Sequence, residues 1–444
     1  MQHNIDNTPR SDEKKNVKEM NSTRLTMAMH RIGDANTILA FLDLTSSTSF
    51  ATNTFCNVED ICGLEERKVG QKSMREAIEK EASSDPTNNQ GTMTNDGLKK
   101  LLTCSFDMAW QRRSSGRIYD SLSGHAFLVG GLTKKVVNAV VLCKKCKVCE
   151  IAKKQKKNCC EHICPINYQV TSKAMEASAA LRLVTQCWEN GFWVHQLVCD
   201  DDSSTRANLR HSWSALIREN KMRQEDWPRT PKGYRKKDCG MLPTQINAPI
   251  FLADPTHRVR SVSRHFFALA DSTKSTCTKG DAMRMKRNMG CWLKQNRHKT
   301  FEEFRQSASA PLEHLFDAHS QCSIEWCTSK AGKEVNKGKY RCKIKDALLY
   351  TTMKEIWEKY TSDELLFESH HTYDSQTNEA LNHSMACRAP KTRTFSLSLS
   401  LEHRMMVCIG EHNVGLQSYW SEVFSNLGIT VDGSFHQYLV AMEW

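Results

Sequence analysis

Carboxylates stand at the ends of two apolar segments that have the pattern of strands. Asp107 lies near the end of one segment (101–110), and the acidic run 200–202 follows another that begins at residue 192. In an α/β sheet, neighbouring strand ends bring side chains that are distant in sequence to one edge. Converging carboxylates favour Mg²⁺ or Mn²⁺, and two such ions could clamp the oxygens of a phosphodiester displacement. Alternatively, each aspartate simply terminates a strand or caps a helix.

A second kind of chemistry is indicated by the cysteines, six of which (of nineteen in the chain) lie in one 22-residue window. Thiolates and imidazole are the ligands that tetrahedral zinc prefers. The window therefore predicts a zinc site with the ligands Cys146, Cys149, His162 and Cys164. Cys143, Cys159 and Cys160 are spare thiols that could substitute. An inert loop with incidental cysteines is the alternative.

Seven lysines lie between Lys144 and Lys157, around the same window. They could contact phosphates or serve as a nuclear import signal. A solvated basic loop is the alternative.

A shorter cluster of possible ligands occurs in EHLFDAHSQCSIEWC, near residue 320. Its spacing would let one zinc ion join a helix end to a turn. The ligands would be His314, His319, Cys322 and Cys327. Taken singly, such histidines are more often surface or core residues.

The segment 254–297 is far more basic than the whole chain, with ten Lys and Arg against three Asp. Val259, Val262 and Phe266 contribute to an apolar stripe at helical spacing, which predicts a helix with a buried face and arginines in solvent. We expect it to bind the phosphates of a nucleic acid through Arg258, Arg260 and Arg264. A merely soluble basic helix is the alternative.

These candidate sites need a scaffold, and the pattern predicts one of the α/β class. Strands are expected at 101–110, 124–132 and 134–143 and from 192, with a helix at 172–191. Further expected helices, at 38–44, 58–82 and 374–387, follow from apolar spacing, and Ser172 could cap the helix that it begins. Spacing of Trp, Leu and Phe from 290 to 367 suggests mostly helix.

Length and composition limit the class of protein. The 444 residues suggest two or three domains, and 39% apolar with 25% charged residues is typical of a globular chain. A net charge of +12 favours polyanionic partners. No apolar run approaches a membrane span and the first twenty residues are polar, so we expect neither membrane insertion nor secretion. An odd number of cysteines favours a reducing compartment.

Four blocks together resemble Mutator-like transposases, particularly the Kolobok-related branch. They are SFDMAWQRRSSGRIYDSLSGHAFLVGGLTKKVVNAVVLCKKCKVC, VCDDDSSTRANLR, DPTHRVRSVSRHF and SQTNEALNHSMACRAPKT, spread over about 100–395. The His/Cys segment near residue 320 is also similar to that family's.

The resemblance implies a ribonuclease-H-like core with an Asp, Asp, Glu site. Asp107 matches the first acid, Asp200 the second (with Asp202 as the alternative), and Glu379 the third. Asp254 and His257 would support the site, although Asp254 before Pro255 could equally be a helix cap. With Mg²⁺ or Mn²⁺, such a site cleaves the ends of a DNA element and transfers the strand to target DNA.

The implied organisation has four parts. They are an N-terminal arm and helical region (1–97), the first part of the core with the Cys-rich insert 143–164 (98–210), a mainly helical insertion with the basic segment and second Cys/His site (211–367), and the last part of the core (368–444). We expect a nuclear protein with structural Zn²⁺ that acts on DNA as a homo-oligomer. Two alternatives are a domesticated or inactive copy that binds zinc and DNA without catalysis, and a zinc-dependent interaction protein whose acids are structural.

Overall fold

The computed structural model describes residues 52–89, 100–111, 121–200, 205–211, 249–332, 340–392 and 394–428. The chain divides into two compact units that share strand β1 (Lys100–Trp110). The first unit contains Phe106–Asn190 and the chain from Gln376 onwards, together with the chain up to Pro86. The second unit contains Thr87–Ser105 and Gly191–Ser375.

Five strands form one mixed sheet in the order β3-β2-β1-β4-β5. β2 and β3 are antiparallel, whereas β4 is parallel to β1 and β5 is parallel to β4. Apolar residues fill the sheet, and every residue of β2 is buried. The strands after β1 are β2 (Ser123–Gly130), β3 (Val136–Cys143), β4 (Phe192–Cys199) and β5 (Ile250–Ala253).

Helices of the first unit pack on β2 and β3. The side chains of Met74, Phe127, Leu381 and Met405, from three helices and β2, meet in one core. Glu81 is 1% exposed and accepts hydrogen bonds from the backbone N–H groups of the turn after β2. The helices are α1 (Thr52–Ser84), α3 (Lys147–Gln155), α4 (Met175–Glu189), α11 (Gln376–Arg388), α12 (Ser400–Val414) and α13 (Leu416–Asn426).

The helices of the second unit enclose an aromatic core. Trp292 stacks on Phe304 with ring centroids 4.5 Å apart and meets Trp357 edge-on. Both indole N–H groups are satisfied, by Ser307 and by the Ala308 carbonyl. The helices are α2 (Pro86–Asn89, which contains the unit boundary), α5 (Pro255–Asp271), α6 (Lys279–Asn296), α7 (Phe301–Gln306), α8 (Ala310–Leu315), α9 (Ala347–Glu358) and α10 (Asp363–Ser369).

The α/β class and the four expected strands are confirmed, while two details differ. The short strand β5 was not anticipated. Ser172 does not cap α4, because its hydroxyl donates to the Ser121 carbonyl and a 3₁₀ turn precedes the helix. The helix expected at 38–44 lies outside the described residues. Within the described ranges, no helix has the length and apolarity needed to cross a membrane.

Candidate active site and metal centres

Asp107 is a half-buried residue within β1, three positions before the strand ends. One carboxylate oxygen, Oδ1, accepts a hydrogen bond of 2.8 Å from the Met108 backbone N–H. The other, Oδ2, accepts one of 2.7 Å from the side-chain amide of Asn382 on α11. The first predicted acid therefore has an oriented carboxylate, and its partner comes from the helix that carries the third.

Glu379 is exposed and lies in the first turn of α11, where an acidic side chain interacts favourably with the helix dipole. Asn382 follows three positions later, and residues three apart share one helix face. Because Asn382 contacts Asp107, the helix that carries Glu379 packs beside β1. Asn378 anchors the same helix by donating to the Phe127 carbonyl on β2 at 3.0 Å.

Asp200 directly follows β4, and its Oδ2 lies 2.9 Å from Nδ1 of His257. His257 is held in turn by Asp254, which is 2% exposed and caps α5 by accepting from the His257 backbone N–H at 2.9 Å. The second Asp254 oxygen accepts from the N–H and hydroxyl of Ser375. Asp254 is thus a helix cap, and the cap places His257 against Asp200. Asp202 lies outside the described residues.

The three predicted DNA-binding arginines of α5 have different environments. Arg258 is 5% exposed and pairs with Glu368 at 2.8 Å, on the same oxygen that Arg206 reaches at 2.8 Å. Arg260 and Arg264 are exposed. Arg258 is therefore part of a buried ion network, whereas the other two can meet a solvent-side ligand.

The four predicted ligands of the Cys-rich window come together, with all ligand atoms within 4.8 Å of one another. Nε2 of His162 lies 3.2 Å from Sγ of Cys146, and Cys149 lies 3.6 Å from Cys164. A tetrahedral ion with bonds of about 2.3 Å separates its ligand atoms by about 3.8 Å, so these spacings fit a zinc-like ion. Nδ1 of His162 is 2.8 Å from the carbonyl of Cys160, which leaves Nε2 free to bind metal.

The helix α3 begins directly after Cys146 and carries part of the lysine cluster around this group of ligands. None of its residues is buried. Lys147, Lys153 and Lys154 on the helix, with Lys156 and Lys157 after it, are exposed. The ligand group is therefore surrounded by positive charge that a polyanion could reach.

The ligands of the second cluster, His314, His319, Cys322 and Cys327, also lie within 4.8 Å of one another. Nδ1 of His319 is 3.4 Å from Sγ of Cys327, and its Nε2 is 3.0 Å from the carboxylate of Asp317.

A carboxylate behind a metal-binding histidine is the usual way to orient its ring. Burial, followed by the charge of Cys327, raises the pKa of the Cys322 thiol to about 12. A bound cation would compensate for ionising it.

Sequence reasoning did not identify Asn382 or Glu368 as partners of site residues. Asn382 had a signal, since it lies one turn after Glu379 on the predicted helix. Glu368 had none, because its two arginine partners lie 162 and 110 positions away in the chain.

Comparison with known proteins identifies the class. The family model of the Mutator-like transposases matches residues 4–226, half of the chain, so the chain belongs to the Mutator-like transposase family. No curated protein and no solved structure matches it with significance. The matched region contains Asp107, Asp200 and the first Cys/His cluster, and it starts well before the blocks that carry the resemblance in the sequence.

Proposed function

We propose that this chain is a DNA transposase of the Kolobok-related branch, in which Asp107, Asp200 and Glu379 hold two divalent ions, Mg²⁺ or Mn²⁺. Membership of the Mutator-like family supports transposition of DNA. The observation that carries the site is the contact between Asn382 and Asp107, since it puts the helix of Glu379 beside the first acid.

The sheet supports the same proposal. β1 and β4 are parallel, and Ser105 pairs with Val198. Asp107 and Asp200 each come two residues later, and parallel strands bring their carboxyl ends to one edge of a sheet. The strand order β3-β2-β1-β4-β5 is also the order of ribonuclease-H-like sheets, which supports that fold for the core.

The residues present suit such ions, because carboxylate oxygens are the hard ligands that Mg²⁺ and Mn²⁺ favour. When bound, the ions would act as Lewis acids on the water and the phosphate oxygens. Asp107 would hold one of them with a carboxylate fixed by Asn382 and the Met108 N–H. His257 would orient Asp200, as it does across 2.9 Å here. We propose zinc for the two Cys/His clusters, and a nuclear location for the protein.

DNA would be bound electrostatically by the exposed side of α5, through Arg260 and Arg264. Phosphate contacts position a protein on DNA without specifying the sequence, so a surface of this kind suits both transposon ends and target. A homo-oligomer on DNA is part of the proposal, because two element ends must be cut together.

The experiment is strand cleavage of DNA that carries Kolobok-related element ends, with Mg²⁺ or Mn²⁺. Asp107→Asn and Glu379→Gln are near-isosteric and should reduce cleavage at least 100-fold, since each removes a metal-binding charge. Asp271→Asn, at an exposed acid paired with Lys279, is the matched control and should cleave normally. Equal cleavage by all four proteins would refute the site. Zinc content with no metal-dependent cleavage would favour an inactive, zinc- and DNA-binding copy.

A further inference from the structure

Two buried polar groups near Asp107 form no hydrogen bond within the described part of the chain. They are the imidazole of His125 on β2, at both ring nitrogens, and Oδ1 of Asn382. His125 is 3% exposed, with its ring edge-on to Phe127 at 5.5 Å. A buried polar group without a partner destabilises the fold, so two of them beside a candidate site require an explanation.

The two groups are complementary. Asn382 offers an acceptor, and a neutral imidazole always carries one N–H donor. Burial, aided by the charge of Lys391, lowers the pKa of His125 to about 4, while the neighbouring Asn382 side chain acts to raise it. The imidazole is therefore neutral near pH 7. Asn378, one turn before Asn382 on α11, donates to the carbonyl of Phe127, two residues after His125 on β2, so the two side chains are neighbours.

The orientation of the Asn382 amide decides how Asp107 is held. With Nδ2 toward Asp107 the amide donates to the carboxylate at 2.7 Å, whereas a flipped amide would set oxygen against oxygen. Backbone anchors alone do not choose between these orientations, since they fix α11 but not the rotation of one amide. A hydrogen-bond donor that faces Oδ1 of Asn382 would favour the orientation with Nδ2 toward Asp107.

We propose that His125 and Asn382 are positioning residues, in which the imidazole N–H donates to Oδ1 of Asn382 and thereby fixes Nδ2 on the carboxylate that binds a divalent ion. This inference rests on the proposed function. His125 touches neither the ion nor DNA, and acts through Asn382 on Asp107. Groups of this kind, behind a metal ligand, typically contribute 10- to 100-fold to metal affinity or activity.

The close approach of β2 to β1 at this point depends on Gly124, which precedes His125. A Cβ at Gly124 would lie 2.3 Å from Cε of Met108, 3.1 Å from the Ala109 carbonyl oxygen and 3.2 Å from Sδ of Met175. The methionine ends could move, but the backbone carbonyl could not easily do so. In the Ser-Gly-His segment, Gly124 therefore lets β2 approach β1 closely, and His125 provides a buried imidazole donor beside the strand of Asp107.

The test measures Mn²⁺ binding to the zinc-loaded protein by electron paramagnetic resonance of the free ion, and the Mn²⁺ concentration for half-maximal cleavage. His125→Phe keeps the ring and removes the donor, and Asn382→Leu keeps the volume and removes the amide. Both should weaken Mn²⁺ binding about 10-fold or more and raise the required Mn²⁺ concentration in parallel. His125→Gln restores a donor and should lie closer to the wild type.

Asn413→Leu is the matched control, because Asn413 is a buried amide that exchanges hydrogen bonds with the backbone of Val136 on β3. It should lower the melting temperature without changing Mn²⁺ affinity. Circular dichroism checks folding, and Asn382→Ala replaces Asn382→Leu if the latter does not fold. Wild-type Mn²⁺ affinity in the His125 and Asn382 variants, or a loss equal to that of Asn413→Leu, would overturn the inference.

The outcomes separate this inference from the proposed function. If Asp107→Ala abolishes cleavage while His125→Phe and Asn382→Leu behave as the wild type, only the positioning role fails. If Asp107→Ala itself binds Mn²⁺ and cleaves DNA normally, the proposed site fails and the positioning role fails with it.

Discussion

The ion network at Glu368 gives the sharpest prediction about stability. Glu368→Ala removes a carboxylate whose Oε2 accepts from both Arg206 and Arg258 at 2.8 Å. The side chains of Arg206, Glu368 and Arg258 are 12%, 14% and 6% exposed, so the network is largely desolvated. Arg206 also lies over the ring of Phe251 and cannot swing freely into water.

Removing one partner of a buried ion pair typically costs about 3–5 kcal/mol, because the other charge stays buried. Because Arg206 and Glu368 are still partly exposed, we expect a cost at the lower end of this range, a loss of about 3 kcal/mol in local stability. Every 1.4 kcal/mol is tenfold in an equilibrium constant, and the opening equilibrium of α5 should therefore rise roughly 100-fold.

Hydrogen exchange of peptides from Pro255–Asp271 measures that opening directly. Glu302→Ala is the matched control, because its pairing with Arg305 at 2.9 Å is exposed. Surface pairs contribute little, so exchange in that variant should change by no more than a few-fold. The double variant Glu368→Ala/Arg258→Ala should be no less stable than Glu368→Ala alone, since partners in one network are not additive. Exchange in Glu368→Ala that matches Glu302→Ala would refute the reasoning.

Three further predictions follow from other parts of the chain. Metal analysis should find two Zn²⁺ per chain, with one lost in Cys149→Ser and the other in His319→Asn, and two ions in either variant would exclude that cluster. Burial lowers the pKa of His371 from 6.5 to about 4. As the pH falls, the unfolded chain therefore binds this proton before the folded chain does. The free energy of unfolding should decrease by roughly 3 kcal/mol between about pH 6.5 and pH 4. His371→Phe should show a shallower fall in denaturant titrations, and an unchanged slope would contradict this. Arg260→Glu/Arg264→Glu should weaken binding to all DNA sequences and reduce its salt dependence, whereas Lys68→Glu/Lys80→Glu, at two exposed lysines of α1, should not. Superimposable salt titrations of the wild type and the arginine variant would exclude α5 as a DNA surface.

Local patterns were enough to predict most elements of this fold. The strands β1 to β4 have eight residues or more and are mainly apolar, and α11 has its predicted position within two residues at either end. β5 has only four residues, too few for periodicity to separate a strand from a loop. Ser172 has the type of a cap, yet its hydroxyl bonds to a carbonyl 51 positions earlier, and no local pattern predicts that contact.

The candidate sites likewise differ in how far apart their residues lie in the sequence. Cysteine and histidine spacing predicted both ligand groups because each is nearly contiguous in the chain and closes over a short loop. Asp107 and Asn382 are 275 positions apart, and their contact arises from packing of α11 on the sheet. A sequence indicates which residues can do chemistry, but partners that lie far apart in the chain come from the fold.

Arg258 shows that a local signal can be present and still be overlooked. Arg258, Val262 and Phe266 are spaced four apart and therefore share one face of α5, the face that is buried. Arg260 and Arg264 have the same spacing but begin two residues later, which turns them toward solvent. Charge alone grouped the three arginines as DNA contacts, whereas helical phase separates them. The buried member requires an acid, and Glu368 supplies it, whereas the other two are exposed and are the pair that we propose for DNA phosphates.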